Sequence, residues 1–171
     1  MKKHEEQLSP EAQLLDRYLG QYKRCINHKR VLERRRDEIV KEFDYPITAV
    51  SYDGMPKGSG GGVGCASLSF RLDEIDTRIM AQLNKSTKVL ANIIDVIEFL
   101  PENSMERSII EHRYIDRMSW ERICGEVHLS RTPATKYWKK GLYELLEFKK
   151  IQKIVSDYDK DLRENDFMGD Y

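Results

Sequence analysis

This chain lacks most of the features that announce a chemistry. It has three cysteines, Cys25, Cys65 and Cys124, an odd number with no CxxC pair. That argues against a disulfide framework or a thiolate zinc cluster and fits a reducing cytosol. The four histidines, His4, His28, His112 and His128, form no HxxxH or HExxH pattern, so no metal or cofactor is expected. No run of about 18 apolar residues occurs, which excludes a membrane-spanning helix from the expectation. The opening MKKHEEQLSPEA starts basic and turns acidic with no apolar stretch behind it, unlike a signal peptide. Lys plus Arg equals Asp plus Glu at 29 each, so net charge selects no partner. No nucleophile–base pair or supported carboxylate cluster stands out, and an enzyme is not expected.

What is abundant is charge, at 34% of residues, against 9% aromatics. A chain of 171 residues can hold one or two small domains, and this composition predicts long helices with solvated faces. Ser9-Pro10-Glu11 reads as a helix start, with serine at the N-cap and proline in the first turn. From there to Phe43 the only breaker is Gly20, and Leu15, Tyr18, Tyr22, Cys25, Lys29, Leu32, Arg36, Ile39 and Phe43 recur at 3-4 spacing. A second helix is expected from about Ser67, with the seam Leu68, Leu72, Ile75, Ile79, Gln82, Ser86, Val89, Ile93, Val96 and Leu100, and Pro101 ends it. Stretches 11–44 and 67–100 are equal in length, roughly 50 Å each as helices. They predict a coiled-coil-like antiparallel hairpin. Setting residue 44 opposite 67 puts Lys29 across from Gln82 and Cys25 across from Ser86, a central polar layer that would fix register at a cost in stability.

Between the helices lies SYDGMPKGSGGGVG, with six of the chain's ten glycines. It invites comparison with phosphate-binding loops, but no Gly-Lys pair exists, and GxGxxG fails at Val63 and Cys65. Residues 45–66 are therefore expected to be a flexible connector. A secondary reading has Tyr52, Met55 and Lys57 touching nucleic acid or a partner protein.

The informative stretch is 104–148. Met105, Ile109, Ile110 and Tyr114 form one amphipathic face. Ser119 caps a second short helix with the stripe Trp120, Ile123, Cys124 and Val127. The chain turns at His128-Leu129-Ser130. Ser130 is expected to cap a third helix with Pro133 in its first turn and Tyr137, Trp138, Leu142, Leu145 and Leu146 on its buried side. A short helix, a tight turn and a longer helix describe a helix-turn-helix, whose second helix meets the major groove. SRTPATKYWKKG, residues 130–141, carries four positive charges and no acid, as attraction to phosphate requires. Arg131, Thr132, Thr135 and Lys136, with Ser130 at the start, are the candidate base-reading residues. Lys139, Lys140 and Arg122 are the candidate backbone contacts. The bland alternatives stand beside these: Trp120, Trp138 and Cys124 as core, His128 as a turn residue, and the lysines as a solvated face.

LPENSMERSIIEHRYIDRMSWERICGEVHLSRTPATKYWKKGLYELLEF resembles region 4 of sigma-70 factors, with its LP…E…I…RY first helix, then S-W-E, then a leucine followed by serine and threonine. The layout, with YDGMPKGSGGG between helical parts, resembles phage and prophage regulators of the RinA/ArpU-like class. The turn position that is often glycine in such domains is His128, and Pro133 is an unusual residue there. The resemblance implies an all-α protein, with residues 1–100 as a helical hairpin and 101–154 as a region 4-like helix-turn-helix domain; residues 155–171, with six acids against two bases, are expected to be an acidic tail, frayed at its end or disordered. It implies a transcription regulator of late phage genes that binds double-stranded promoter DNA in the bacterial cytoplasm, at the nucleoid. RNA polymerase and a second copy of the chain are the further partners it allows. Two other readings remain open: a small terminase-like packaging subunit, and a protein-binding module such as an anti-sigma partner.

Overall fold

The protein is described by a computed structural model over residues 8–44 and 61–167. Among the described residues there are seven helices and no strand. In chain order they are α1 (Pro10–Leu19), α2 (Gln21–Asp44), α3 (Gly61–Ile97), α4 (Met105–Tyr114), α5 (Trp120–Glu126), α6 (Arg131–Leu146) and α7 (Lys149–Phe167). No helix among them is long and apolar enough to cross a membrane. Two compact units divide after Arg24 and after Thr87. One joins the stretch up to Arg24 with that from Lys88 onward, and the other is the stretch between them. The expected division at residue 100 differs from this.

The first helix starts as the sequence indicates: the Ser9 side chain accepts from Ala12 N–H, with Pro10 in the first turn. At Gly20 the expected continuous helix is interrupted by one residue, although Gly20 N–H still reaches Asp16 O at 2.9 Å. Along α3 and just beyond it, every position of the proposed seam from Leu68 to Leu100 is buried or half-buried. The helix itself begins at Gly61, six residues before the expected start at Ser67, and takes in part of the glycine-rich stretch. Once a helix is nucleated, each added residue contributes a hydrogen bond, and this offsets much of glycine's cost of about 1 kcal/mol. The rest of that stretch, including Tyr52, Met55 and Lys57, lies outside the described residues.

In the central unit the contacts between α2 and α3 run in opposite sequence directions. Gln82 Nε2 donates to Cys25 O at 3.0 Å, Arg36 Nε meets Asp76 Oδ1 at 2.6 Å, and Arg71 Nη2 meets Glu42 Oε2 at 3.6 Å. Cys25, Leu32, Ile75, Gln82 and Ser86 are buried. The two ion pairs lie within one or two positions of the expected register, and the Gln82 contact departs from it. Gln82 pairs with the Cys25 carbonyl, about one helical turn from the expected Lys29, which instead pairs with Glu33 on its own helix. Ser86 satisfies its hydroxyl on Leu83 O at 2.7 Å. A long amide can reach a backbone acceptor that side-chain level counting does not anticipate.

The other unit is held by two apolar clusters. The larger joins Leu15 and Leu19 of α1, Ile93, Val96 and Ile97 of α3, and Leu100 to Ile110 and Tyr114 of α4, Leu142, Leu145 and Leu146 of α6, and Ile151 and Val155 of α7. Each fully buried Leu or Ile here contributes roughly 1.5–3 kcal/mol of transfer free energy. The smaller centres on Ile109, Ile123 and Ala134, with Trp120, Cys124, Val127 and Leu129 packed around it. Trp138 touches both. Two expectations are corrected here. Residues 155–167 are not a disordered tail but continue α7, because Ile151, Ile154, Val155 and Tyr158 form an i, i+3, i+4 stripe against the core; Tyr158 meets the Tyr18 ring edge-on with centroids 5.5 Å apart, and the tail's end, 168–171, lies outside the described residues. Met105 and Tyr137, expected on buried faces, are each 37% exposed.

Candidate nucleic-acid interface

The candidate site is the N-terminal part of α6 and the turn that leads into it. Helix α5 begins at Ser119, whose hydroxyl accepts from Arg122 N–H at 3.4 Å. It closes with two reverse bonds: Leu129 N–H to Cys124 O at 3.1 Å and His128 N–H to Gly125 O at 3.4 Å. This 6→1 and 5→2 pair is the Schellman arrangement, which needs a left-handed residue after the cap. His128 supplies it with φ of 51°. A side chain in this region costs roughly 1–2 kcal/mol relative to the right-handed form, so the chain turns as sharply as a glycine would allow, with strain held at His128. Leu129 then seats in the small cluster with Cys124 and Val127.

Ser130 stands at the N-cap of α6, but its side chain makes no capping hydrogen bond, contrary to the expectation. Of the candidate residues, Arg122, Ser130, Arg131, Thr132, Lys136 and Lys140 are exposed, and Thr135 and Lys139 are half-buried. Thr135 Oγ1 donates to Arg131 O at 2.8 Å, which occupies its hydroxyl. Arg131 lies over the Trp120 ring at 4.5 Å from its centroid, and Arg113 lies over the same ring at 5.1 Å. The nearby Glu121 carboxyl is held below its ordinary pKa. Its own backbone N–H and the Ser119 hydroxyl do most of this, and the charges of Arg131 and Arg113 add to it.

Lys140 has an internal role that sequence reading did not find. Its Nζ meets Glu106 Oε1 at 2.6 Å and Glu144 Oε1 at 3.3 Å, and the Glu106 side chain is only 7% exposed. Burial pushes the Glu106 carboxyl up, but the Lys140 hydrogen bond, its own backbone N–H and the Lys140 charge together outweigh that and hold it down. A carboxyl whose folded pKa is depressed gives stability that is present above the unfolded value and lost as pH falls through the folded one. Acidification below about pH 4 should therefore weaken this unit. In Lys140→Met only the backbone N–H is left to oppose burial, so the urea-midpoint gap to wild type should be widest at pH 7 and narrow as pH falls. A gap that widens on acidification would contradict this assignment.

Three hydrogen-bonded side chains link the candidate site to α1. Trp138 Nε1 donates to Tyr114 Oη at 2.9 Å, and Tyr114 donates on to Asp16 Oδ1 at 2.6 Å. Burial first, then the Asp16 charge, raise the phenol's pKa well above its usual value, so it remains a donor. Among the described residues no group of three or more His, Cys, Asp or Glu is placed to hold a metal. No protein-family model, curated protein or solved structure matches the chain.

Proposed function

We propose that the protein is a DNA-binding transcription regulator of phage or prophage type, an activator of late genes. On this reading α2 and α3 make an antiparallel hairpin, α5 and α6 are the two helices of a helix-turn-helix, and residues 131–147 enter the major groove of promoter DNA. One observation carries it: Arg131, Thr132 and Lys136 stand exposed on the first turns of α6, in a stretch with no acid from 130 to 141. The left-handed turn at His128 supports it, because it delivers α6 directly from α5 as such a unit needs. Arg131 and Lys136 offer donors for guanine, Thr132 a methyl for thymine, and Arg122 and Lys139 positive charge for phosphates. Lys140 contributes less to DNA on this view, because Glu106 and Glu144 already hold it. RNA polymerase or a second copy of the chain is the protein partner it allows.

The test is selection of bound fragments from random duplex DNA. The reading expects a recovered consensus and retention that falls steeply with added salt, as counterion release demands. Failure to retain duplex at low salt would remove it. Light scattering that showed a ring of many subunits would favour the packaging alternative.

A further inference from the structure

The Trp120 indole is half-buried, yet it is surrounded by more than apolar neighbours. The Arg131 guanidinium lies 4.5 Å from its centroid, and its edge-to-face contact with Trp138 has centroids 5.7 Å apart at 87°. Trp138 is itself fixed by the hydrogen bond to Tyr114, and Tyr114 by Asp16. A chain of contacts thus runs from a carboxylate on α1 to the first residue of α6. An exposed arginine normally samples many rotamers, and holding it costs entropy on binding. Stacking on a fixed indole removes part of that cost beforehand. A guanidinium that lies on a ring by its flat face keeps the N–H donors at its edge for bidentate hydrogen bonding.

We infer that Trp120 is a positioning residue for Arg131: the indole, anchored through Trp138, Tyr114 and Asp16, holds the guanidinium so that its edge can read a base. This rests on the DNA-binding reading of α6 and adds to it a specificity element outside α6. Glu121 and Arg113 face the same cluster, so the local charge around Arg131 is mixed.

The test compares wild type, Trp120→Leu and Trp120→Phe, each also in an Arg131→Ala background. Fluorescence anisotropy would be read on the selected duplex and on random duplex. The leucine variant should lose about 3- to 30-fold in affinity for the selected duplex, the range a cation–π contact allows. Its affinity for random duplex and its salt slope should hold, and phenylalanine should restore part of the loss. In the Arg131→Ala background the leucine change should cost nothing further. An equal loss on both duplexes, or an undiminished loss without Arg131, would overturn the role assigned to the ring. Should the leucine variant not fold, free wild type decides by NMR. The Arg131 side-chain protons should be displaced upfield by the indole ring current, and shifts equal to those of other exposed arginines would overturn the inference. Wild type that retained no duplex at all would instead overturn the DNA reading and this role with it.

Discussion

Reversing charge at two positions, Arg131→Glu with Lys136→Glu, is expected to abolish retention of duplex DNA, with a loss of about 100-fold or more at moderate salt. Each bidentate base contact is worth about 1–3 kcal/mol, and the reversal also turns attraction to phosphate into repulsion. Both side chains are exposed, so the cost to folding should be small, with surface changes usually within about 0.5 kcal/mol and the lost Trp120 contact adding about as much again. A charge-matched control, Lys149→Glu with Lys153→Glu, places the same reversal on exposed positions of α7. It should leave affinity within a few-fold of wild type. Equal losses in the two variants would mean that net charge, not the α6 edge, governs binding. No loss in the first would favour a protein-binding module.

The largest effect on folding is expected at Gly141. A Cβ there would sit 2.7 Å from Ile110 Cδ1 and 3.1 Å from Glu106 Cβ, where α6 crosses α4. Ile110 is fully buried, so its methyl has little room to give. Gly141→Ala should gain about 1 kcal/mol in helix propensity yet lose about 1–3 kcal/mol to overpacking. Gly141→Leu should lose considerably more and lower the melting temperature by roughly 10 °C or beyond. Gly125 provides the opposite case: it also lies in a helix, but nothing stands within 4 Å of its would-be Cβ. Gly125→Ala should therefore stabilise by about 0.5–1 kcal/mol. If both alanine variants melted above wild type, the close approach of α6 to α4 would be wrong.

Which parts of this architecture could be read from sequence follows from the range of the forces involved. Local signals were readable. Ser9 and Ser119 accept the capping N–H their position suggests, though Ser130 does not, and the 3-4 seam of α3 is buried or half-buried along its described length. Long-range pairings were not. Asp16 and Tyr114 lie 98 positions apart, and nothing near either marks the other. Glu106 sits on α4 where periodicity alone gives it no partner, and its cation comes from Lys140 on a different helix. The acidic character of 155–171 obscured Val155 and Tyr158, which continue the apolar stripe begun at Ile151 and Ile154, because composition averages over faces that a helix separates. At the candidate interface the charges were legible, whereas the indole under Arg131 was not, because two tryptophans at helical spacing look like ordinary core.

Methylation interference on the selected duplex tests the central claim most directly. Guanine N7 lies in the major groove, so a methyl there blocks any side chain that enters it. The account predicts a short run of positions, within one groove face, at which a single N7 methyl removes binding, and a run that shortens in Arg131→Ala. Binding indifferent to N7 methylation everywhere, or sensitive only to groups in the minor groove, would contradict it.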